Sequence, residues 1–98
     1  MEVSYKNKKL ENVCQDFGQA KKKYGINMAI KIHQRIDEIR AAETIEIMIK
    51  FRIGRCHELE GNRKGKYAVD LVHPYRMVFE VVNGEVYIAN IIEIIDYH

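Results

Sequence analysis

The chain has 98 residues, enough for one hydrophobic core and too few for two. It is 47% hydrophobic and 31% charged, with one proline and six glycines, which excludes a disordered or low-complexity chain. Sixteen basic against fourteen acidic residues leave a net charge of +2, too weak to hold nucleic acid by overall charge, so only a local grouping of cations can do so.

Residues 2 to 6 alternate and suit a short strand. Leu10, Val13, Cys14 and Phe17 at helical spacing predict a helix over about 8–23, ended by Gly25. Ile26, Ala29, Ile32, Ile36 and Ile39 form an apolar stripe on a second helix, about 26–42, with Lys31, Gln34, Arg35 and Glu38 away from its centre. The segment 43–53 is ambiguous. Ile45, Ile47, Ile49, Phe51 and Ile53 alternate as in a strand, whereas Thr44 suits a helix cap. Periodicity alone favours the strand.

The remainder reads as hairpins. A strand over 55–60, the turn Gly61-Asn62-Arg63-Lys64-Gly65 and a strand over 66–72 come first. His73-Pro74 breaks the run. A strand over 75–82 sets Tyr75, Met77, Phe79 and Val81 on one face and Arg76 on the other. Asn83-Gly84 suits a two-residue turn, with the last strand over 85–94. These elements predict a single α+β domain spanning 1–98. Its small, curved, mostly antiparallel sheet of four to five strands is covered on one face by two to three N-terminal helices.

Two cysteines, Cys14 and Cys56, are too few for a disulfide framework and suit free thiols in a reducing compartment. The first residues lack the apolar stretch of a secretory signal. The run from Ile88 to Ile95 is too short to span a bilayer. A cytoplasmic protein is expected.

Four histidines are the first candidates for chemistry. His33, at the edge of the helical stripe, and His73, before a proline, read as structural. His57 precedes the basic turn, and His98 ends the chain after Asp96 and Tyr97. Two imidazoles brought together would serve as acid and base at neutral pH, whereas an unpaired tail would merely fray. Arg52, Arg55, Arg63, Lys64 and Lys66 cluster, with Arg76 on the next strand, either to grip phosphate or to solvate a sheet face. Cys56-His57 lacks a second Cys/His pair at zinc spacing, so no metal is expected.

The run Arg55-Cys56-His57-Glu58-Leu59-Glu60-Gly61-Asn62-Arg63-Lys64-Gly65-Lys66-Tyr67, the strand Tyr75-Arg76-Met77-Val78-Phe79 and the ending Asp96-Tyr97-His98 together resemble the HigB-like toxins of the RelE/ParE superfamily. The resemblance covers Arg55 to His98 and extends to the first half only in layout. It favours a short helix and a loop over 43–53. It implies a type II toxin, a metal-independent and cofactor-free endoribonuclease that cuts messenger RNA in the ribosomal A site by 2′-hydroxyl attack. It also implies a helix-turn-helix antitoxin of the HigA type as partner. By position His57, Arg76, Asp96, Tyr97 and His98 are its catalytic residues. His57 or Asp96 would be the base, His98 or Tyr97 the acid, and Arg76 the phosphorane stabiliser. Arg55, Arg63, Lys64 and Lys66 would hold RNA. Glu58 and Glu60 depart from the family pattern. Carboxylates beside His57 would repel phosphate, which favours the alternative of a non-catalytic module that binds only antitoxin or RNA.

Overall fold

The computed structural model describes residues 1–97. Strand β1 (Glu2–Tyr5) is followed by helices α1 (Lys8–Gln15), α2 (Phe17–Tyr24), α3 (Ile26–Ala41) and α4 (Ile45–Lys50). Strands β2 (His57–Glu58), β3 (Lys66–Asp70), β4 (Tyr75–Asn83) and β5 (Tyr87–Asp96) complete the chain, with short 3-10 turns at Ile53–Arg55 and Gly61–Arg63. The strands form one mixed sheet in the order β1-β5-β4-β3-β2, parallel only between β1 and β5. The α+β expectation holds, with four helices rather than two or three. Among the described residues no helix is long and apolar enough to cross a membrane.

Local chemistry sets the helix ends. Asn7 caps α1 by accepting from the Leu10 amide at 2.8 Å. The helix expected over 8–23 is two helices, because Asp16 adopts an extended backbone. It ends α1 and caps α2, accepting from the Gln19 amide at 3.2 Å. In α3, Ala29, Ile32, Ile36 and Ile39 are buried as the stripe requires, whereas Ile26 is exposed and Met28 is buried. The alternation over 45–53 misleads. Thr44 Oγ1 accepts from the Ile47 amide at 3.3 Å and starts α4, which buries Ile45 and Met48. The cap satisfies an amide of the first turn, so a six-residue helix forms where the period-2 pattern suggested a strand.

Two hairpin expectations also change. The strand expected over 55–60 shrinks to His57–Glu58, because a 3-10 turn occupies Ile53–Arg55. Asn83 pairs with Tyr87, so three residues, Gly84 to Val86, make the β4–β5 loop instead of two.

Phe79, Met77, Val69 and Ile91 on the sheet pack with Ala29, Ile32, Ile39 and Met48 from the helices, all fully buried. Each of the larger side chains contributes about 1.5–3 kcal/mol by leaving water. Beyond Phe79 the register shifts. Phe79 faces Ile91 but Val78 faces Glu93, so Ile92 is an extra residue in β5. This bulge reverses the phase of the strand. Ile91 and Ile94 both reach the core, while Glu93, Ile95 and the following Tyr97 turn to the outer face, away from the helices.

Candidate active site

In antiparallel neighbours, directly opposed residues project to the same side. Register therefore sets His57, Ala68, Val78 and Glu93 in one row across the outer face, and Asp70, Arg76 and Ile95 in the next. His57 comes from the edge strand, Arg76 from the sheet centre.

The Asp70 carboxylate joins two arginines. Its Oδ1 lies 3.2 Å from Arg76 Nε and its Oδ2 3.4 Å from Arg55 Nε. Both contacts use Nε, not the terminal nitrogens with which arginine forks a phosphate. The Arg76 guanidinium also lies over the Tyr97 ring, 4.9 Å from its centroid. The Tyr97 amide donates to the Pro74 carbonyl at 2.9 Å, and Arg63 donates to the Tyr97 hydroxyl at 3.3 Å while pairing with Glu93. That carboxylate raises the pKa of Arg63 above its ordinary value, chiefly through the hydrogen bond.

His57 Nδ1 lies 3.0 Å from the Arg55 carbonyl. A carbonyl only accepts, so Nδ1 carries the hydrogen, and in the neutral ring Nε2 is then the acceptor. Beside the ring is a hollow of about 480 Å³, lined by Ile49, Arg52, Arg55, Cys56, His57, Asp70 and Arg76. A second hollow of about 290 Å³ shares Arg55, Asp70 and Arg76 and includes Tyr97 in its wall. Among the described residues, three guanidiniums against one carboxylate make the first hollow cationic, although the whole chain carries only +2.

A family model described as the HigB RelE-like toxin of type II toxin–antitoxin systems matches residues 3–98. The chain belongs to this toxin family.

Solved structures agree on the fold. A YoeB/ParE toxin from Agrobacterium tumefaciens is 14% identical, with a TM-score of 0.69 and full coverage of both chains. The YoeB-YefM complex from Staphylococcus aureus is 19% identical, with a TM-score of 0.65, covering 100% of this chain and 97% of that one. No curated protein matches the chain.

In this HigB-like toxin, the expected residues divide into groups. His57, Arg55, Arg76 and Tyr97 border the two joined hollows. Lys66 lies on the same face but a row away, opposite Glu80, and Lys64 is exposed in the loop. Arg63 is engaged by Glu93 and Tyr97 rather than standing apart as an RNA grip. Asp96 is opposite Tyr75, whose ring packs against Tyr24 of α2, so its row faces the helices and not Arg76. His98 lies outside the described residues. His33 packs edge-on against Phe17, as a structural histidine does.

The carboxylates near His57 also resolve. Glu58 is opposite Tyr67 on the other face of the sheet, and its Oε2 accepts from the Gly65 amide at 2.9 Å. It closes the loop rather than opposing a phosphate. Cys56 is no nucleophile, because burial pushes its thiol up to about 12.

Two site residues escaped the sequence reading, whereas Arg52, already in the basic cluster, does line the hollow. Asp70 shares the phase of Lys66 and Ala68 on β3, a signal that alternation alone carries. Glu93 had no sequence signal, because the bulge decides its face.

Proposed function

We propose that this toxin is a ribosome-dependent messenger-RNA endoribonuclease. The observation that carries the reading is the convergence of His57 and the guanidiniums of Arg52, Arg55 and Arg76 on one hollow, with Tyr97 in the wall of the second hollow that shares Arg55 and Arg76. His57 Nε2 takes the proton of a ribose 2′-hydroxyl, whose oxygen attacks the adjacent phosphorus. The P–O5′ bond breaks, leaving a 2′,3′-cyclic phosphate, and the departing 5′-oxygen takes a proton from Tyr97 or His98. Arg63 donates to the Tyr97 oxygen, so that contact does not use the phenol's own hydrogen. Arg55 and Arg76 offset the charge of the phosphorane. No step calls for a metal or cofactor.

The modest overall charge favours RNA presented by the ribosome over free RNA. A toxin that acts on translating ribosomes works in the cytoplasm. A helix-turn-helix antitoxin of the HigA type holds it inactive. The S. aureus relative, a toxin-family chain in complex with YefM, supports a protein partner. Induced expression in bacteria, with messenger-RNA ends mapped by sequencing, tests the reading. Wild type arrests growth and yields cuts within translated codons, while His57→Ala and His98→Ala lose both. A folded wild type that leaves growth and transcripts unchanged would make the chain a non-catalytic binding module.

A further inference from the structure

The side chain of Arg35 leaves the middle of α3 and ends beneath the proposed site. Only 12% of it is exposed. Its Nε donates to the Asp70 carbonyl at 2.6 Å and its Nη1 pairs with Glu38 at 2.7 Å. A Cβ built on Gly54 would lie 2.8 Å from Arg35 Nε, 3.0 Å from Cδ and 3.1 Å from Cζ. The turn from Arg52 to Arg55 therefore rests on the guanidinium, with only a hydrogen atom between them.

That turn is held in an uncommon shape. Arg52, Gly54 and Arg55 have φ of 53°, 59° and 55°. Residues with a side chain stay in this left-handed region only when their surroundings enforce it. The same turn supplies the Arg55 carbonyl that fixes the His57 tautomer. Asp70, held through its carbonyl, presents the carboxylate that joins Arg55 and Arg76. Helix α3 does not need this arginine for packing, since Ala29, Ile32, Ile36 and Ile39 already bury its core face. A guanidinium drawn this far out of water also needs partners, and Arg35 finds them in Glu38 and the Asp70 carbonyl.

We propose that Arg35 is a positioning residue for the cleft. From below, it sets both the His57 tautomer, through the 52–55 turn, and the Arg55–Asp70–Arg76 bridge, through the Asp70 carbonyl. The inference rests on the ribonuclease reading for its kinetic consequence, but the arrangement itself is measurable without activity.

The test compares wild type, Arg35→Met and Arg35→Lys of the full chain by nitrogen-15 NMR and by cutting of messenger RNA on translating ribosomes. In Arg35→Met the Nε–H signals of Arg55 and Arg76 move, and the His57 ring loses its preference for Nδ1–H. The rate constant kcat falls by on the order of 100-fold with KM little changed, as misplaced reacting groups require. Arg35→Lys recovers part of both effects. Folded Arg35→Met with all three signals unmoved overturns the proposal, as does a kcat loss no larger than the loss of folded protein. If Arg35→Met does not fold, Arg35→Lys decides by the same signals. If wild type never cuts RNA, the ribonuclease reading fails while the NMR comparison still decides the positioning role.

Discussion

Arg63 donates a hydrogen bond to the hydroxyl of Tyr97, 3.3 Å away and 34 residues later in the chain. To do so it reaches from the β2–β3 loop to the far end of β5, pairing there with Glu93. The extra residue Ile92 makes this possible, because it turns Glu93 and Tyr97 to the outer face. A residue expected to hold RNA thus touches the aromatic side chain that lies beside Arg76.

The contact separates two roles for Arg63. If it orients Tyr97, Glu93→Gln and Arg63→Ala each slow cleavage, and the double variant is little worse than either single change. If it only binds phosphate, Glu93→Gln leaves the rate unchanged or raises it. Single-turnover cutting on ribosomes, read as a double-mutant cycle, decides between them.

Among the described residues, Asp70 is the only carboxylate lining the larger hollow. Asp70→Asn removes its charge and loosens Arg55 and Arg76. The expected outcome is tighter binding of naked RNA at low salt together with slower cutting, since affinity follows net charge and rate follows geometry. Binding titrations over a salt series and cleavage kinetics check the two halves separately. A variant that both binds and cuts faster would mean that Asp70 merely screens the site.

Thr44 starts α4, whose Ile49 lines the hollow. Thr44→Ala removes the capping acceptor and is expected to cost about 1 kcal/mol of stability. Urea unfolding measures it as a lower midpoint with an unchanged slope.

Burial pushes the thiols of Cys14 and Cys56 up to about 12, from an ordinary value of 9.0. Unfolded, each would ionise near pH 9; folded, only near pH 12. The neutral thiols therefore contribute stability that is fully present below pH 9 and lost as pH rises towards 12. Tyr5, Tyr24 and Tyr67, also raised chiefly by burial, act in the same direction above pH 10. Denaturant unfolding from pH 8 to 11 should show falling stability, with a shallower fall in a Cys14→Ala, Cys56→Ala double variant. A thiol reagent at pH 8 should react slowly with native protein and rapidly after unfolding.

Sequence alone determined the α+β class, the buried stripe of α3, the phase of β4 and the family. Each rests on short-range information: helical period, strand alternation or a contiguous motif. Alternation on β4 was enough to put Arg76 opposite Met77 and Phe79, and the motif was enough to mark His57 and Tyr97. Tertiary structure decided what period and motif do not encode. The Ile45–Ile53 alternation lost to the Thr44 cap, whose hydroxyl satisfies an amide of the first turn of α4. One bulged residue, Ile92, chose the face of Glu93 and Tyr97, and a bulge is set by the packing of Ile91 and Ile94 into a shared core. Arg35 looked like a solvated helix residue because its partners, Asp70 and Gly54, lie far along the chain. A long side chain finds distant partners only after the chain has folded, so the support of the site belongs to the tertiary structure while its candidate chemistry was legible in the sequence.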